Sequence, residues 1–461
     1  MSKNKPGGSF NLSMARLLSQ YGMLGVLLLL GVFFSLVTIR DQQPTGKAAG
    51  TSLAEQIESL VSDRSPEQWP TILILAPGGD DASDFVAALS RQLSDSDITI
   101  GATLTGDPLT IREGLQKLSE SGTLPGADLM IATQHGFAPI VRNVITEMPI
   151  FADAPIQTPQ SYRWPTFLLA SNLLNVANQI AVIAILAVGM TMVIITAGID
   201  LSVGSLIALS AVAVAGLIGR LGGEGASMGA MVTCGFGAIL FTGLIGAFSG
   251  LVITRFRVPP FIATLGMMQV ASGLAYILSK GRPFYQVPAS FVALGRGVDP
   301  LLGIPYAVML MLVLYAAAHL MMSRTALGRY IYAIGGNQEA ARLAGVRVKG
   351  VLLLVYCLNG MLAGLGGVVM ASQLKSGAPT YGLMYELYVI AAVVVGGTSL
   401  SGGEGKILGT LIGAFIIAVI QNGMNLTNVE SYTQKVVLGL VILGAVLLDR
   451  LKQRGMQKRQ A

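Results

Sequence analysis

Cysteine and histidine are nearly absent, with two of each in 461 residues. Cys234 and Cys357 lie in separate apolar stretches, which leaves neither a paired-cysteine metal site nor a disulfide framework to read. His135 falls in a polar stretch and His319 near the end of an apolar run, so neither a metal centre nor a catalytic histidine cluster is expected. Charge is scarce too: 12% of residues are charged, against about a quarter in a soluble domain. With 52% hydrophobic residues and a mean hydropathy of +0.66, that excludes a disordered chain and an ordinary soluble enzyme. The phosphate-cradling pattern G-x-x-x-x-G-K-[ST] is missing as well. Gly405-Lys406 supplies its dipeptide, but Leu400 stands at the first glycine and Ile407 at the Ser/Thr. Any ATP is therefore expected on another chain.

What is present is a succession of long apolar runs. Tyr21 to Ile39 is nineteen residues without a charge, enough to cross about 30 Å of hydrocarbon. It follows Lys3, Lys5 and Arg16. It is longer than the apolar core of about 7–15 residues in a cleaved signal, so it reads as an uncleaved first span. Further runs follow at 176–197, 201–219, 228–254, 261–279, 301–322, 350–371, 386–397, 407–424 and 435–448. That makes about ten transmembrane helices, two of them short and flanking a Gly-rich break, in an all-α polytopic bundle. Alternating from a cytoplasmic N-terminus places Arg255, Arg257, Lys406, the basic 323–349 loop and the 450–461 tail inside, as the excess of Lys and Arg on cytoplasmic loops requires. Both termini are then cytoplasmic, with 1–40 the N-terminus and first span, 161–449 the membrane domain and 450–461 a basic tail.

The segment 41–160 is different material, with 16 acidic and 6 basic residues, whereas the rest of the chain has 8 acidic and 24 basic. Alternation places it outside the membrane. Residues 41–70 read as linker with a short helix, since Ser52 and Glu55 have capping-box spacing. Beyond it, strands at Thr71–Leu75, Ile98–Leu104, Leu129–Ala132 and Met148–Phe151 alternate with helices at Asp84–Leu93, Ile111–Ser119 and Ala138–Ile145. Short apolar strands between amphipathic helices predict a small parallel α/β sheet. Its order resembles one lobe of periplasmic sugar-binding proteins, with Gly78-Gly79-Asp80 and Asp84-Phe85 where that lobe's first loop meets sugar. About 90 residues supply no second lobe, so the insert is read as binding sugar, docking a binding protein, or a remnant of a fused gene.

The most informative membrane stretch is AVGMTMVIITAGIDLSVGS at 187–205. An aspartate in an apolar run costs roughly 2.5–3.5 kcal/mol at the centre of a span and needs a role. Gly198 breaks one helix and Asp200 occupies an N-cap position for the next, with Ser202 in its first turn. Two compatible readings stand: Asp200 caps a helix at a break, or the break lines the transport path. The spacing Gly198-x-x-Leu201-Ser202-x-Gly204 returns as Gly397-x-x-Leu400-Ser401-x-Gly403, offset by 199 residues, as in transporters built from duplicated halves with discontinuous helices. Gly246-x-x-x-Gly250, Gly360-x-x-x-Gly364 and Gly409-x-x-x-Gly413 predict tight helix packing. In the loop between two later spans, Gly335-Gly336-Asn337 supplies a turn and cap, Gln338 to Leu343 a short helix and Gly345 its stop. That loop is read either as a solvated connection fixing topology or as a coupling helix.

At these residues the chain resembles the permease subunits of ATP-binding-cassette importers for monosaccharides, of the ribose/xylose type. The resemblance runs over about 164–449 and includes 187–205, VPPFIATLGMMQVASGL (258–274), GRYIYAIGGNQEAARLAGV (328–346) and VVGGTSLSGGEGKILGTLIGA (394–414). It implies a helical bundle working beside a second permease subunit, identical or not. It also implies a separate cytoplasmic ATPase carrying ATP and Mg, and an extracytoplasmic sugar-binding protein. Gly335, Gly336, Asn337, Glu339, Ala340, Ala341 and Gly345 then form the loop that meets the ATPase, and replacing Glu339 or Gly336 is expected to cut coupling. The insert departs from the family's short first connection. For a neutral sugar the pathway candidates are Asn178, Gln269, Tyr276, Asn359, Gln373 and Gln421. The expected place is the bacterial cytoplasmic membrane, in contact with lipid, with no cofactor in this chain and no nucleic-acid partner. A secondary transporter or a membrane sensor with an external ligand domain is the alternative. The first lacks ionisable coupling residues beyond Asp200 and Glu386, the second any output segment.

Overall fold

A computed structural model describes residues 8–121 and 128–460, with side chains over 22–66, 68–121 and 128–447. The side chains of Lys3, Lys5, Arg16 and the 450–461 tail lie outside the described residues. The chain divides into two compact units, one of them Ile39–Thr166 and the other everything before and after it.

Helix α1 (Gly8–Val37) opens the chain and leads into the α/β unit. There β1 (Ile39–Gln42) is followed by α2 (Gly46–Val61), β2 (Thr71–Ala76), α3 (Asp80–Asp95), β3 (Ile100–Thr105), α4 (Pro108–Ser121), β4 (Leu129–Thr133), α5 (Ala138–Thr146), β5 (Ile156–Gln157) and β6 (Tyr162–Pro165). Strands β3-β2-β4-β5 form a parallel sheet in that order. Every residue of β2 is buried, because a central parallel strand is covered on both faces. Ile72, Ile74 and Ala76 face a core made with Leu53 and Ile57 of α2 and Phe85 and Leu89 of α3. Leu73 and Leu75 face another made with Ile111 and Leu115 of α4 and Val141 of α5. The Asp107 carboxylate accepts the Thr110 N–H and hydroxyl, both at 2.8 Å, ahead of most of α4. Those bonds to the charged form, the backbone one first, hold its pKa below the ordinary carboxylate value.

Three expectations for this unit need correction. The short helix expected within 41–70 is a longer one over 46–61 whose Ala49, Leu53, Ala54, Ile57 and Val61 are buried. The polar opposite face of α2 masks that stripe in the composition. Its start is Gly46, so Ser52 and Glu55 fall in mid-helix instead of at a capping box. Met148–Phe151 forms turns, with Phe151 N–H bonding Met148 O at 3.0 Å, and the fourth strand is β5. Phe85 is buried in the α2–α3 core, where no ligand reaches it.

The other unit continues with α6 (Ala170–Ile195), α7 (Val203–Arg220), α8 (Met228–Phe256), α9 (Pro260–Ser279), α10 (Ala293–Arg296), α11 (Tyr306–Arg324), α12 (Ala326–Gly336), α13 (Gln338–Leu343), α14 (Val348–Leu374), α15 (Tyr385–Val395), α16 (Ile407–Leu426) and α17 (Ser431–Gln460). Seven of these are long and apolar enough to cross a membrane: α6, α7, α8, α9, α11, α14 and α16. Shorter apolar helices occupy Gly22–Val37, Tyr385–Val395 and Ser431–Leu447, so each apolar run of the sequence is helical. The fold is mostly helical, and the chain is a multi-pass membrane protein.

Helix α14 packs against α8, α6 and α7, and its small residues make this possible. A Cβ at Gly360 would run into Thr242 O and lie 3.1 Å from Gly246 Cα, and one at Gly246 would run into Tyr356 O. The two sequence-spaced glycine pairs of α8 and α14 therefore face each other, letting backbones touch as membrane helix packing favours. Gly360→Leu is expected to cost more than about 3 kcal/mol and to abolish the monodisperse folded fraction in detergent. Gly266→Leu, on an open side of α9 with nothing within 4 Å, is expected to leave that fraction unchanged. Residues 376–384 between α14 and α15 are not helical. Phe284 and Gly377 exchange backbone hydrogen bonds of 2.9 Å, which meets the demand that irregular backbone among spans be satisfied by protein.

Candidate functional site

Helix α6 ends in a Schellman turn. Ala197 N–H bonds Ile194 O at 2.9 Å and Gly198 N–H bonds Val193 O at 3.0 Å, with Ala197 left-handed at φ 60°. Asp200 follows with no exposed surface. Its Oδ1 accepts the Ser202 N–H at 2.9 Å and the Ser202 hydroxyl at 2.6 Å, and its Oδ2 accepts Asn359 Nδ2 of α14 at 2.8 Å. Thr264 of α9 holds the backbone on either side, accepting Leu201 N–H at 3.1 Å and donating to Ile199 O at 3.2 Å. Asp200 is thus not the N-cap of α7. Ser202 is, with φ −80° and ψ −12°, because the chain turns helical there. Asp200 closes an Asx turn two residues earlier, facing the N-terminal end of α7 where a carboxylate is favoured. Tyr356 Oη sits against Gly198, and it and Asn359 Oδ1 are buried with no hydrogen-bond partner among the described residues.

The second break repeats this geometry. Helix α15 ends at Val395 with Gly397 N–H to Val394 O at 2.9 Å and Thr398 N–H to Val393 O at 3.1 Å, and Gly397 has φ 88°. Those helix ends correspond at an offset of 200 residues, so Ala197, not Gly198, is the partner of Gly397. The side-chain turn corresponds at 199: Ser401 N–H bonds Ser399 Oγ at 3.2 Å, as Ser202 N–H bonds Asp200. One residue fewer therefore separates turn from helix end in the second copy. Gly204 of α7 packs against Gly382 O and the Glu386 carboxylate.

The breaks meet each other and the end of α12. Gly403 N–H donates to Ile195 O at 2.9 Å. A Cβ on Gly335 would collide with that same Ile195 O and lie 2.5 Å from Gly403 N. One on Gly402 would lie 2.8 Å from Ala197 Cβ and 3.0 Å from Gly335 O. Tyr332 Oη donates to Gly405 O at 2.7 Å, tying α12 to the second break. Only glycine allows three main chains to converge this closely.

Beyond this junction Asn337 caps α13, its Oδ1 accepting Ala340 N–H at 2.9 Å, and Gly345 ends it at φ 85°. Gly335 and Gly336 are the last residues of α12 and not a free turn. Glu339, Ala340 and Leu343 are exposed while Ala341 is buried, and Glu339 pairs with Arg342 at 2.7 Å. Beside α13 lies a groove of about 420 Å³ lined by Leu327, Tyr330, Val346, Arg347, Val351 and Leu354, among others. A Cβ on Gly336 meets open space, whereas one on Gly335 has no room.

The six pathway candidates are spread over α6, α9, α14 and α16. Asn178 Nδ2 donates to Gly295 O at 3.1 Å, Gln373 Nε2 donates to Asn178 O at 3.0 Å, and Arg296 Nε donates to Gln373 O. Those two candidates therefore meet around α10. Asn359 belongs to the Asp200 clasp, Gln269 and Tyr276 are exposed on α9, and Gln421 is half-buried on α16. Sequence reasoning passed over Tyr356, Thr264 and the reciprocal Asn172–Asn422 amide pair at 3.1 and 2.9 Å. Their signal is a polar group inside an apolar run.

Residues 172–446 match the family model described as branched-chain amino acid transport system / permease component. The ribose import permease protein of Escherichia coli (strain K12) is 45% identical over 293 residues, covering 63% of this chain and 88% of that protein. The ribose import permease protein of Bacillus subtilis (strain 168) is 45% identical over 290 residues, 62% of this chain and 87% of its own. The D-allose transport system permease protein of Escherichia coli (strain K12) is 37% identical over 285 residues, 62% of this chain and 85% of its own. No solved structure matches. The family match begins after the α/β unit ends.

Proposed function

The chain belongs to this family of transport permease components, and on that premise we propose that it is the membrane subunit of an ATP-binding-cassette importer that carries a monosaccharide into the cytoplasm. The observation that carries this reading is the match, over nearly the whole membrane unit, to permeases named for ribose and allose. A neutral polyol suits a path lined with amides and hydroxyls, and the polar groups inside these spans are overwhelmingly of that kind. ATP and Mg belong to a cytoplasmic ATPase partner, sugar delivery to an extracytoplasmic binding protein, and a second permease subunit completes the path. Both termini face the cytoplasm, and the α/β unit faces outside.

In this reading α13 is the coupling helix. Its exposed Leu343 and the adjoining groove offer the ATPase an apolar hold, with Glu339 and Arg342 beside it. Motion imposed on α13 enters α12, whose last turn touches both helix breaks through Gly335. It therefore reaches the loop before α7 and the loop before α16 together, without passing through flexible chain. Such paired displacement of two discontinuous segments is the motion alternating access requires. Vesicles holding the permease, its ATPase and its binding protein are expected to accumulate labelled ribose only with internal ATP. Accumulation that persists without ATP, or without the ATPase, would overturn the importer reading in favour of a secondary transporter.

A further inference from the structure

We propose that the ribbon formed by β1 and β6 is an interfacial anchor held at the lipid headgroup layer, with Trp164 as its lipid contact. The ribbon joins directly to spans. Strand β1 starts two residues after α1 ends at Val37, and β6 is followed by the Thr166–Leu168 turn and then α6 at Ala170. Its antiparallel register pairs Ile39 with Pro165, Arg40 with Trp164, Asp41 with Arg163 and Gln42 with Tyr162. Cross-strand partners share a face, so both aromatic rings stand on one side with Arg40 and Gln42. Those rings are 46% and 45% exposed although the strands are paired. Gln42 Nε2 bonds Thr166 Oγ1 at 2.8 Å, closing the ribbon onto the turn ahead of α6.

The occupant follows from continuity. Leu28, Leu29, Val32, Phe33, Leu36 and Val37 of α1 are exposed, and Ile39, two residues further along the chain, is exposed as well. Amphipathic rings beside guanidinium groups, at the end of a lipid-facing helix, have the composition of a membrane–water interface. Depth agrees. A strand rises about 3.3 Å per residue, and the headgroup layer on each side of the hydrocarbon is about 5–8 Å thick. Trp164, one residue beyond the first ribbon pair, lies at most about 3 Å from the level of that pair, whatever the ribbon's tilt. Trp164 is therefore inside the layer. This inference needs only that α1 and α6 span, so it stands apart from the identity of the cargo.

The chain holds two tryptophans, and the other, Trp69, is half-buried with Nε1 donating to Val61 O at 3.1 Å. In the full chain carrying W69F, reconstituted into phosphatidylcholine vesicles brominated near the top of the acyl chains, Trp164 emission is expected to fall about twofold. Aqueous iodide is expected to change it little. Quenching of Trp164 by iodide and not by bromine would put the ribbon in water, and shielding from both would put a protein over it, whether a binding protein or a second copy. Either result overturns the proposal. Should W69F not accumulate, the difference between wild-type and W164F emission reads the same residue.

Discussion

Gly335→Ala is expected to lower ATP-driven uptake at least about tenfold, equivalent to about 1.4 kcal/mol, with ATP hydrolysis continuing uncoupled. The added methyl has no room, since its position is occupied by Ile195 O and Gly403 N. It must part α12 from the two breaks and open the 2.9 Å bond from Gly403 N–H to Ile195 O. Helix α12 itself stays folded, because its buried Ile331 and Ile334 lie away from the added methyl. The damage is thus to contact between coupling helix and breaks, not to either part. The measurement is sugar accumulated per ATP hydrolysed in reconstituted vesicles, with Gly266→Ala of α9 as the control whose methyl meets open space. Wild-type coupling in Gly335→Ala would remove the junction from the path. If that variant does not accumulate, Tyr332→Phe tests the same path, with a severalfold loss of coupling expected from the missing bond to Gly405.

The contrast between Gly335 and Gly336 shows where reading the sequence succeeds and stops. The limits of α13 are local properties, an Asn337 cap and a Gly345 stop within nine residues of each other, and the sequence displays both. The spans are equally legible, because apolar length is written along the chain. Which of two adjacent glycines bears the contact depends on Ile195 and Gly403, which lie well over fifty residues away on opposite sides. The repeat shows the same limit: matching letters align Gly198 with Gly397, but the helix-end hydrogen bonds align Ala197 with Gly397. In the α/β unit the polar face of α2 conceals a buried stripe that only its partner α3 reveals. Asp200 stands between these cases. Its cost in an apolar run marks it as needing a partner, and nothing local names Asn359.

That partnership sets the size of the second effect. Asp200→Ala is expected to destabilise the protein by about 4 kcal/mol, because it leaves three buried donors, Ser202 N–H, the Ser202 hydroxyl and Asn359 Nδ2, without their acceptor at about 1–3 kcal/mol each and removes the charge-assisted bonds. Uptake should be lost with it, since the start of α7 is no longer fixed. Asp200→Asn is expected to cost less, about 1–2 kcal/mol: its carbonyl still serves Ser202, and Asn359 can turn its unpartnered Oδ1 toward the new amide. The reading is the thermal unfolding midpoint in detergent, with Asp200→Ala lower by on the order of 10 °C and Asp200→Asn by a few. An Asp200→Ala variant as stable as wild type would mean the carboxylate does not hold the break, leaving only a pathway role. The double variant Asp200→Ala/Asn359→Ala separates the two readings further. If the clasp is structural, its loss is smaller than the sum of the single losses by about 1–2 kcal/mol, because the second change removes a donor that the first had already orphaned. Additive losses would mean that the 2.8 Å contact between Asp200 and Asn359 carries no coupling.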